Sequence, residues 1–278
     1  MSRALLTGLL AAASMAAQTQ KLVYSCTDED IISAGLACSE EEPCPIYLEL
    51  SSIESIGQKL FVIGNVHTSR ATLVALLLSS ADGGKTWIEP VERLSGATLD
   101  RVMFVDFENG WISGQFLHPV PRDPFILRST DGGVSWRKSN IFSDSRAGTI
   151  LEIAFASKNE GVLMIDRGQS TDGSRYEKYE SMTGGASWML REVADRPIPL
   201  KRLSSESTPP WRLRADAKTK SYVVERRDGA KWAAAASFLI DLDPCKPPVP
   251  ATPEPLAEPE PAPSGTFVIG TPEKKKQP

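Results

Sequence analysis

Carboxylic acids are the side chains of this chain whose chemistry could support catalysis. A glycoside hydrolase needs two facing carboxylates with separated pKa values. The acidic residues that could form such a pair are Asp106, Glu108, Glu152 and Asp166. Nothing in their spacing pairs them, and acidic residues at strand ends are usually solvated. The chain also lacks a Gly-x-Ser-x-Gly motif, a Walker loop and a dinucleotide-binding fingerprint. The sequence therefore favours a protein that is not an enzyme, with a glycan-binding protein or glycoside hydrolase as the alternative.

A set of polar residues at the ends of predicted strands indicates a binding role. The set consists of Asn65, His67, Gln115, His118, Arg167 and Gln169. If the strands occupy equivalent positions in a repeated fold, their ends converge on one face of a central channel. Solvated strand ends are the alternative interpretation. Because the chain has only 2 histidines and no Cys-x-x-Cys pair, we predict neither a metal site nor a cofactor.

A repeated eight-residue pattern organises the elements that must position these residues. The pattern, Ser-x-Asp-Gly-Gly-x-Ser/Thr-Trp, starts at Ser80 and Ser129 and returns at Ser181 with threonine replacing the aspartate. Paired glycines supply the positive φ angles of a tight hairpin, and the aspartate accepts hydrogen bonds from the turn. The tryptophan buries a large area against its surroundings. We interpret the pattern as structural, and its marker residues are Asp82, Trp87, Asp131, Trp136, Thr183 and Trp188.

Four short strands accompany each hairpin. The predicted strands of three complete repeats are 47–53, 59–68, 72–80 and 86–91; 101–106, 110–116, 125–129 and 135–138; and 150–156, 161–167, 176–181 and 187–192. A fourth repeat is eroded: it has strands at 211–214 and 221–225, a turn at 227–232 that looks like the pattern with one residue missing, and an apolar stretch at 233–242. This repeat lacks one strand, and we predict that residues 21–25 supply it.

The hairpin pattern resembles the Asp box, or BNR repeat, of sialidase-like β-propellers, where it joins the third and fourth strands of a blade. The stretch 102–114 is similar to the blades of the photosystem II assembly-factor-like propeller group. The resemblance covers residues 48–192 and implies an all-β fold, a small β-propeller of about four blades whose last blade is eroded and completed by the N-terminal strand. The arginine motif of sialidases is absent, and the nearest string is Arg196-Pro197-Ile198-Pro199. The resemblance therefore implies a scaffold that binds a protein or a cell-envelope component.

The arginines that could form a thin analogue of the client-binding patch of that group are Arg101, Arg122, Arg128 and Arg167. The cysteines are Cys26, Cys38, Cys44 and Cys245, and an even number predicts disulfides in an exported protein. Four cysteines allow three connectivities, and a four-cysteine zinc site is the alternative. Closure of the ring between its first and last strands favours Cys26–Cys245 together with Cys38–Cys44.

The two ends of the chain predict export and a spacer. Residues 1–17 have the positive, apolar and small-residue regions of a signal peptide, with an uncleaved anchor as the alternative. We place the propeller domain at residues 18–245 and a disordered tail rich in Pro and Glu at 246–278. The net charge of -4 argues against nucleic acid as a partner. We expect a periplasmic or extracellular monomer that does not stay inserted in a membrane after signal cleavage.

Overall fold

A computed structural model describes residues 18–117, 120–168, 174–200 and 210–246, and the regular secondary structure of these residues is almost entirely β-strand. Within them, the strands form four sheets of four strands each. Sheet 1 contains β2 (Tyr47–Ile56), β3 (Lys59–His67), β4 (Thr72–Ser80) and β5 (Leu94–Ser95). Sheet 2 contains β6 (Ala97–Phe104), β7 (Gly110–Leu117), β8 (Pro121–Ser129) and β9 (Arg137–Asn140). Sheet 3 contains β10 (Thr149–Phe155), β11 (Gly161–Asp166), β12 (Tyr176–Ser181) and β13 (Met189–Ala194).

Sheet 4 combines the two ends of the described chain. Its strand order is β14 (Trp211–Asp216), β15 (Ser221–Asp228), β16 (Lys231–Leu239) and β1 (Gln18–Gln20). An N-terminal strand thus completes the eroded repeat, but it is Gln18–Gln20 rather than residues 21–25. It runs parallel to β16, whereas the other strand pairs are antiparallel. The predicted strand at 21–25 is wrong because that segment leaves the sheet and contributes Tyr24 to the apolar core.

Two further predictions for the elements are wrong. The turn within 227–232 joins the second and third strands of its sheet, because Asp228 pairs directly with Lys231 across a two-residue turn in which Gly229 has φ +58°. It is therefore not a shortened copy of the hairpin pattern. In sheet 1 the fourth strand is Leu94–Ser95 rather than 86–91, and Ile88 makes only an isolated bridge to Ser79.

A helix, α1 (Asp28–Ser33), lies in the segment that precedes sheet 1. Thr27 caps it reciprocally with Asp30: the Asp30 N–H donates to the Thr27 hydroxyl at 3.1 Å, and the Thr27 N–H donates to the Asp30 carboxylate at 2.8 Å. A capping box of this kind satisfies two of the backbone donors that a helix start leaves free. We call residues 21–45, which contain this helix, the N-terminal strap.

Apolar packing joins the sheets in the order 4, 1, 2, 3. Val224 and Phe238 of sheet 4 pack with Leu48 and Leu60 of sheet 1. Sheets 1 and 2 share a cluster that includes Ile63 and Phe125, and sheets 2 and 3 share one that includes Trp111 and Phe155. Among the described residues, no cluster combines sheets 3 and 4. Instead, Ile198 and Leu200 cover Met164 of sheet 3, and Arg212 and Arg214 pair with the buried Glu225 of sheet 4 at 2.6 and 3.0 Å.

Disulfides hold the seam between sheets 4 and 1. Cys26 is bonded to Cys245 and Cys38 to Cys44, which are the pairings expected from ring closure. The backbones of Cys44 and Cys245 exchange hydrogen bonds of 3.0 and 2.8 Å, so both bridges lie at one place. The Cys26–Cys245 bridge therefore fixes the strap covalently to the chain that follows sheet 4, and the Cys38–Cys44 bridge closes a loop within the strap.

Candidate functional site

The second hairpin shows why its residue types are needed. The Asp131 carboxylate accepts hydrogen bonds from the Ser135 hydroxyl at 2.5 Å, the Ser135 N–H at 3.0 Å and the Val134 N–H at 3.1 Å. The bonds from Ser135 are the main cause that lowers the pKa of Asp131 to about 2. Asp82 makes the same bonds to Thr86 and Lys85 at 2.7–3.0 Å, and its pKa is lowered chiefly by the Thr86 N–H. The carboxylates of both aspartates therefore form their hydrogen bonds within their own turns.

Each hairpin also packs on the sheet before it. Gly133 has φ +81°, and a Cβ built on it would lie 2.3 Å from the ring of Phe61 in sheet 1. A side chain at this position would therefore clash as well as strain the backbone. The Trp136 indole donates to the Gly133 carbonyl at 3.1 Å and keeps its ring against the same cluster.

The third hairpin, which has threonine in place of aspartate, depends on an additional tryptophan. The Thr183 hydroxyl accepts a hydrogen bond from the Ser187 N–H at 2.9 Å, so it replaces only part of the aspartate network. Trp111 of sheet 2 donates to the Gly184 carbonyl at 2.9 Å and stacks on Phe155 at 3.7 Å between ring centroids. Trp188 has a buried indole nitrogen without a partner among the described residues. Trp111 was not among the predicted marker residues, although it follows the Asn109-Gly110 turn at the start of a strand.

The candidate catalytic carboxylates are not brought together. Asp106 accepts the N–H groups of Glu108 and Asn109 at 2.9 and 2.7 Å in the turn before β7, and the Asn109 bond lowers its pKa. Asp166 lies at the far end of β11, where its hydrogen bonds to Arg175 lower its pKa. Glu152 lies within β10. Asp106 and Asp166 therefore occupy opposite ends of the second strands of their sheets, and both are engaged by local partners.

The predicted polar set is split between the core and a cavity. In the strand register, Asn65 faces Glu49, Gln115 faces Thr98, and Asp166, not Arg167, takes the equivalent place opposite Thr149. Asn65 and Gln115 are both 5% exposed. The Asn65 amide oxygen accepts the Leu99 N–H at 3.0 Å, and the Gln115 amide donates to the Thr98 hydroxyl at 2.7 Å. The Asn65 bond thus joins sheets 1 and 2, whereas the Gln115 bond lies within sheet 2.

The remaining members of the set have different surroundings. Arg167 lies 3.6 Å from the Glu177 carboxylate, and its guanidinium lies 5.0 Å from the Phe142 ring. The ring of His67 donates from Nδ1 to the Thr68 carbonyl at 2.9 Å, which leaves Nε2 free to accept a hydrogen bond. His118 and Gln169 lie outside the described residues.

A cavity of about 1100 Å³ opens beside His67 and forms the candidate site. The strap forms one wall of the cavity, and the β3–β4 turn forms a second. The connection from β5 to β6 forms the third. The charged and polar groups that line it include Asp30, Glu49, His67, Arg70 and Arg93. The turn is rigid because the Thr68 hydroxyl accepts the N–H groups of Arg70 and Ala71, both at 3.1 Å. We call this space the strap cavity.

Arg93 fixes the strap wall. Its guanidinium forms a fork with the Glu89 carboxylate at 2.6 and 2.8 Å and donates to the Val23 carbonyl at 2.9 Å. It also lies 5.8 Å from the ring of Tyr24, which is 8% exposed. Burial raises the pKa of Tyr24, and the charge of Asp30 raises it further. The sequence could not reveal this wall, because Arg93 and Val23 are 70 positions apart and belong to no shared pattern.

One carboxyl group near the cavity has an unusual pKa. Asp100 is the extra residue of a β-bulge between Leu99 and Arg101 in β6. Burial raises its pKa to about 6, against a hydrogen bond with Gln115, and the charge of Glu49 raises it further. Glu49 lines the strap cavity. No predicted candidate included Asp100 or Glu49, and the only sequence signal was an acidic residue within an apolar strand.

Across the described residues, His, Cys, Asp and Glu side chains nowhere form a group of three or more that could hold a metal ion. The helical structure described between residues 18 and 246 includes no segment long and apolar enough to cross a bilayer.

A scan against protein-family models and a search of curated proteins each found no match. Similar solved structures include YCF48 bound to D1 peptide, at 18% identity and a TM-score of 0.36, covering 71% of this chain and 54% of that one. YCF48 from Cyanidioschyzon merolae has 20% identity and a TM-score of 0.36, with 72% and 58% covered. A Penicillium chrysogenum alpha-L-arabinanase complexed with arabinobiose has 14% identity and a TM-score of 0.37, with 71% and 63% covered. The chain spans less than two thirds of the length of each of these structures.

Proposed function

We propose that this chain is an exported, non-enzymatic binding scaffold that holds an extended segment of a protein or cell-envelope component in the strap cavity. The observation that carries the proposal is the cavity volume of about 1100 Å³. Pockets for small molecules usually measure about 300–1,000 Å³. A space at and above that limit, walled by a strap, a turn and a strand step, suits a polypeptide segment better than a single sugar or metabolite.

The charges around the cavity favour a partner that carries both signs. Glu49 and Glu29 are exposed carboxylates on its lining, and neither forms an ion pair within the described residues. Arg70 is exposed on the opposite turn, and its guanidinium likewise has no partner there. A polypeptide offers both basic and acidic groups at variable spacing, whereas nucleic acid would meet carboxylates and a chain of net charge -4.

The proposal includes the finer architecture expected from the sequence. In it, the four sheets are blades of a small β-propeller, and the repeated hairpins are Asp boxes that fasten each blade to the one before. Residues 1–17 direct export, and residues 246–278 act as a spacer. Two disulfides within the described chain support an oxidising compartment, such as the periplasm or the extracellular space.

A glycan-active protein is the second candidate, and Asp100 is the observation that favours it. A general acid needs a carboxyl group that stays protonated near neutral pH beside a second carboxylate. Asp100, with its pKa of about 6, fits the role of the general acid, and Glu49 fits the role of the second carboxylate. Turnover of chromogenic glycosides that disappears in both Asp100→Asn and Glu49→Gln would establish this candidate and end the binding-only proposal.

Capture of partners from the native envelope fraction tests the main proposal. The purified chain would be immobilised, and bound proteins would be quantified by mass spectrometry for the wild type and two cavity variants. Thr72→Trp fills the cavity, and Arg70→Glu reverses a free charge on its rim. Lys85→Glu is the matched control, because Lys85 is exposed on the hairpin at the opposite end of β4. Partners lost in both cavity variants and retained by the control are expected. Equal retention by all four proteins would reject the strap cavity as the site.

A further inference from the structure

The outer strand of sheet 3 is apolar and uncovered. In β13, the exposed fractions are 57% for Met189, 47% for Leu190 and 46% for Val193. The strands at the corresponding edge of the other sheets are shorter: β1 and β5 have 3 and 2 residues, and β9 has 4 residues and carries Arg137 and Lys138. Short or cationic edges are the usual protection against pairing between chains. β13 is the longest of these four strands, with 6 residues, and its one cation, Arg191, is followed by the anion Glu192, so it is the least protected of them.

A bulge sorts the side chains of β13 onto two faces. Leu190 is opposite Tyr179 and Val193 is opposite Glu177, so these two apolar side chains share one face of the sheet. Met189, Glu192 and Ala194 are opposite Glu180, Lys178 and Tyr176 on the other face. Arg191 is the extra residue of the bulge, and its ion pair with Glu180 at 3.0 Å places it on that second face as well.

This distribution makes β13 complementary to itself. In an antiparallel pair related by a two-fold axis, opposite residues must project from the same face of the sheet. If Arg191 lies opposite Glu192 of a second copy, Leu190 lies opposite Val193 and Met189 opposite Ala194. The bulge places both members of every one of these pairs on the same face. Without the bulge, each pair would project from opposite faces and the register would be forbidden.

We propose that β13 is a homodimer interface, in which two copies pair edge to edge in this register. The pairing gives two Arg191–Glu192 ion pairs on one face and two Leu190–Val193 contacts on the other. Glu192 forms no ion pair or side-chain hydrogen bond within the described residues, so it is free to accept Arg191 of the second copy. When Arg191 leaves Glu180 to bind the second copy, Glu180 still has an ion pair with Lys178 at 3.7 Å. The inference is independent of the proposed function and replaces the monomer expected from the sequence.

Charge reversal tests both the interface and its register. Sedimentation velocity would be measured from about 1 µM to about 1 mM on the full chain, a range that covers weak dimers. Glu192→Arg places like charges opposite each other twice per dimer, so the dimer dissociation constant should rise about tenfold or more. The double variant R191E/E192R restores two opposite-charge pairs and should return the constant to near the wild-type value. Arg137→Glu on β9 is the matched control and should change nothing.

Each variant is first shown to keep the wild-type melting midpoint, so that loss of the dimer cannot be caused by unfolding. A concentration-dependent wild-type dimer, lost in Glu192→Arg and regained in the double variant, supports the proposal. A wild-type chain that stays monomeric up to about 1 mM overturns it. A dimer that tolerates Glu192→Arg, or one that the double variant does not restore, shows that another surface or register is used and overturns it too.

Discussion

Replacing Trp111 with alanine is expected to be the most destabilising change at the contact between sheets 2 and 3. Trp111 is 1% exposed, and its ring stacks on Phe155 with an interplanar angle of 9°. Its indole also donates to Gly184 of the third hairpin at 2.9 Å. Truncation of a buried aromatic residue costs about 3–5 kcal/mol of unfolding free energy. Because the stack and the hydrogen bond are lost together, we expect the upper part of that range, about 4–5 kcal/mol.

Two comparison variants divide this value into its causes. Trp111→Phe keeps most of the ring and removes the N–H donor, so it should cost about 1–2 kcal/mol. Trp136→Ala removes a partly buried ring and the hydrogen bond to Gly133. It should cost about 3 kcal/mol, less than Trp111→Ala. The sequence alone would have ranked Trp136 first, because Trp136 belongs to the repeated pattern and Trp111 does not.

Urea unfolding with both disulfides intact is the assay. With an m-value of about 2 kcal/mol/M, Trp111→Ala should lower the midpoint by about 2 M. Hydrogen exchange provides the local readout: protection should fall in the third hairpin, Ser181 to Trp188, and stay unchanged in the first. A cost below about 1 kcal/mol for Trp111→Ala would refute the burial argument. Equal costs for the alanine and phenylalanine variants would show that the hydrogen bond, not the ring, carries the effect.

Asp131→Ala should cost about 1 kcal/mol of unfolding free energy through lost turn hydrogen bonds. The native pKa of Asp131 lies below its unfolded value, so the stability difference from wild type should be full above roughly pH 4 and fade toward pH 2. Acid unfolding measures this difference. Asp100→Asn should stabilise the chain by up to about 2–3 kcal/mol at pH 8 and by almost nothing at roughly pH 3. Burial raises the native pKa of Asp100 from 3.8 to about 6, so the cost of ionised Asp100 grows as pH rises from the unfolded pKa to the native one and is constant above it. A pH-independent effect in urea titrations would contradict this. Removing the Cys26–Cys245 bridge by paired serine substitutions should cost about 5 kcal/mol of unfolding free energy, and removing Cys38–Cys44 about 2 kcal/mol, because the bridges span sequence separations of 219 and 6. If calorimetry found the larger cost for Cys38–Cys44, the chain-entropy explanation would be rejected. Limited proteolysis should cut after Lys246 and near Lys274–Lys276 and leave a core of residues 20–245; a fully protected tail would contradict the predicted spacer.

Local chemistry made most of the fold predictable. The hairpin pattern predicted where the third strand ends in sheets 1, 2 and 3, because its turn hydrogen bonds are made within eight residues. It located the fourth strand in sheets 2 and 3 but not in sheet 1. The strands Thr72–Ser80 and Tyr176–Ser181 were predicted with their observed bounds for the same reason. The helix Asp28–Ser33 was missed, although Thr27 and Asp30 form a capping box, since its 6 residues carry no apolar periodicity.

The candidate site was less predictable, because distant segments build it. Arg93 meets Val23 and Tyr24 only after the strap has folded across sheet 1, and no spacing rule relates them. The strand-end alignment included His67, and the structure places it at the end of β3 and on the cavity lining. It paired Arg167 with Asn65, whereas the register puts Asp166 there. The bulges after Leu50, Leu99 and Ile150 occupy the same place in the three sheets, so the error is an offset of the second strand: the alignment matched Asp166 to Gly64 and Gly114 instead of matching Gly161 to Gly110 at the strand starts.

A hydrogen-exchange footprint of a captured partner on the full chain shows whether the partner binds in the strap cavity. Binding there predicts added protection in the strap around Tyr24 to Ala34, in the turn from Thr68 to Thr72 and at Ser95–Gly96, the segments that line the cavity. It predicts no added protection in the hairpins that begin at Ser80 and Ser129. Protection confined to those hairpins, with the strap unchanged on binding, would contradict the account.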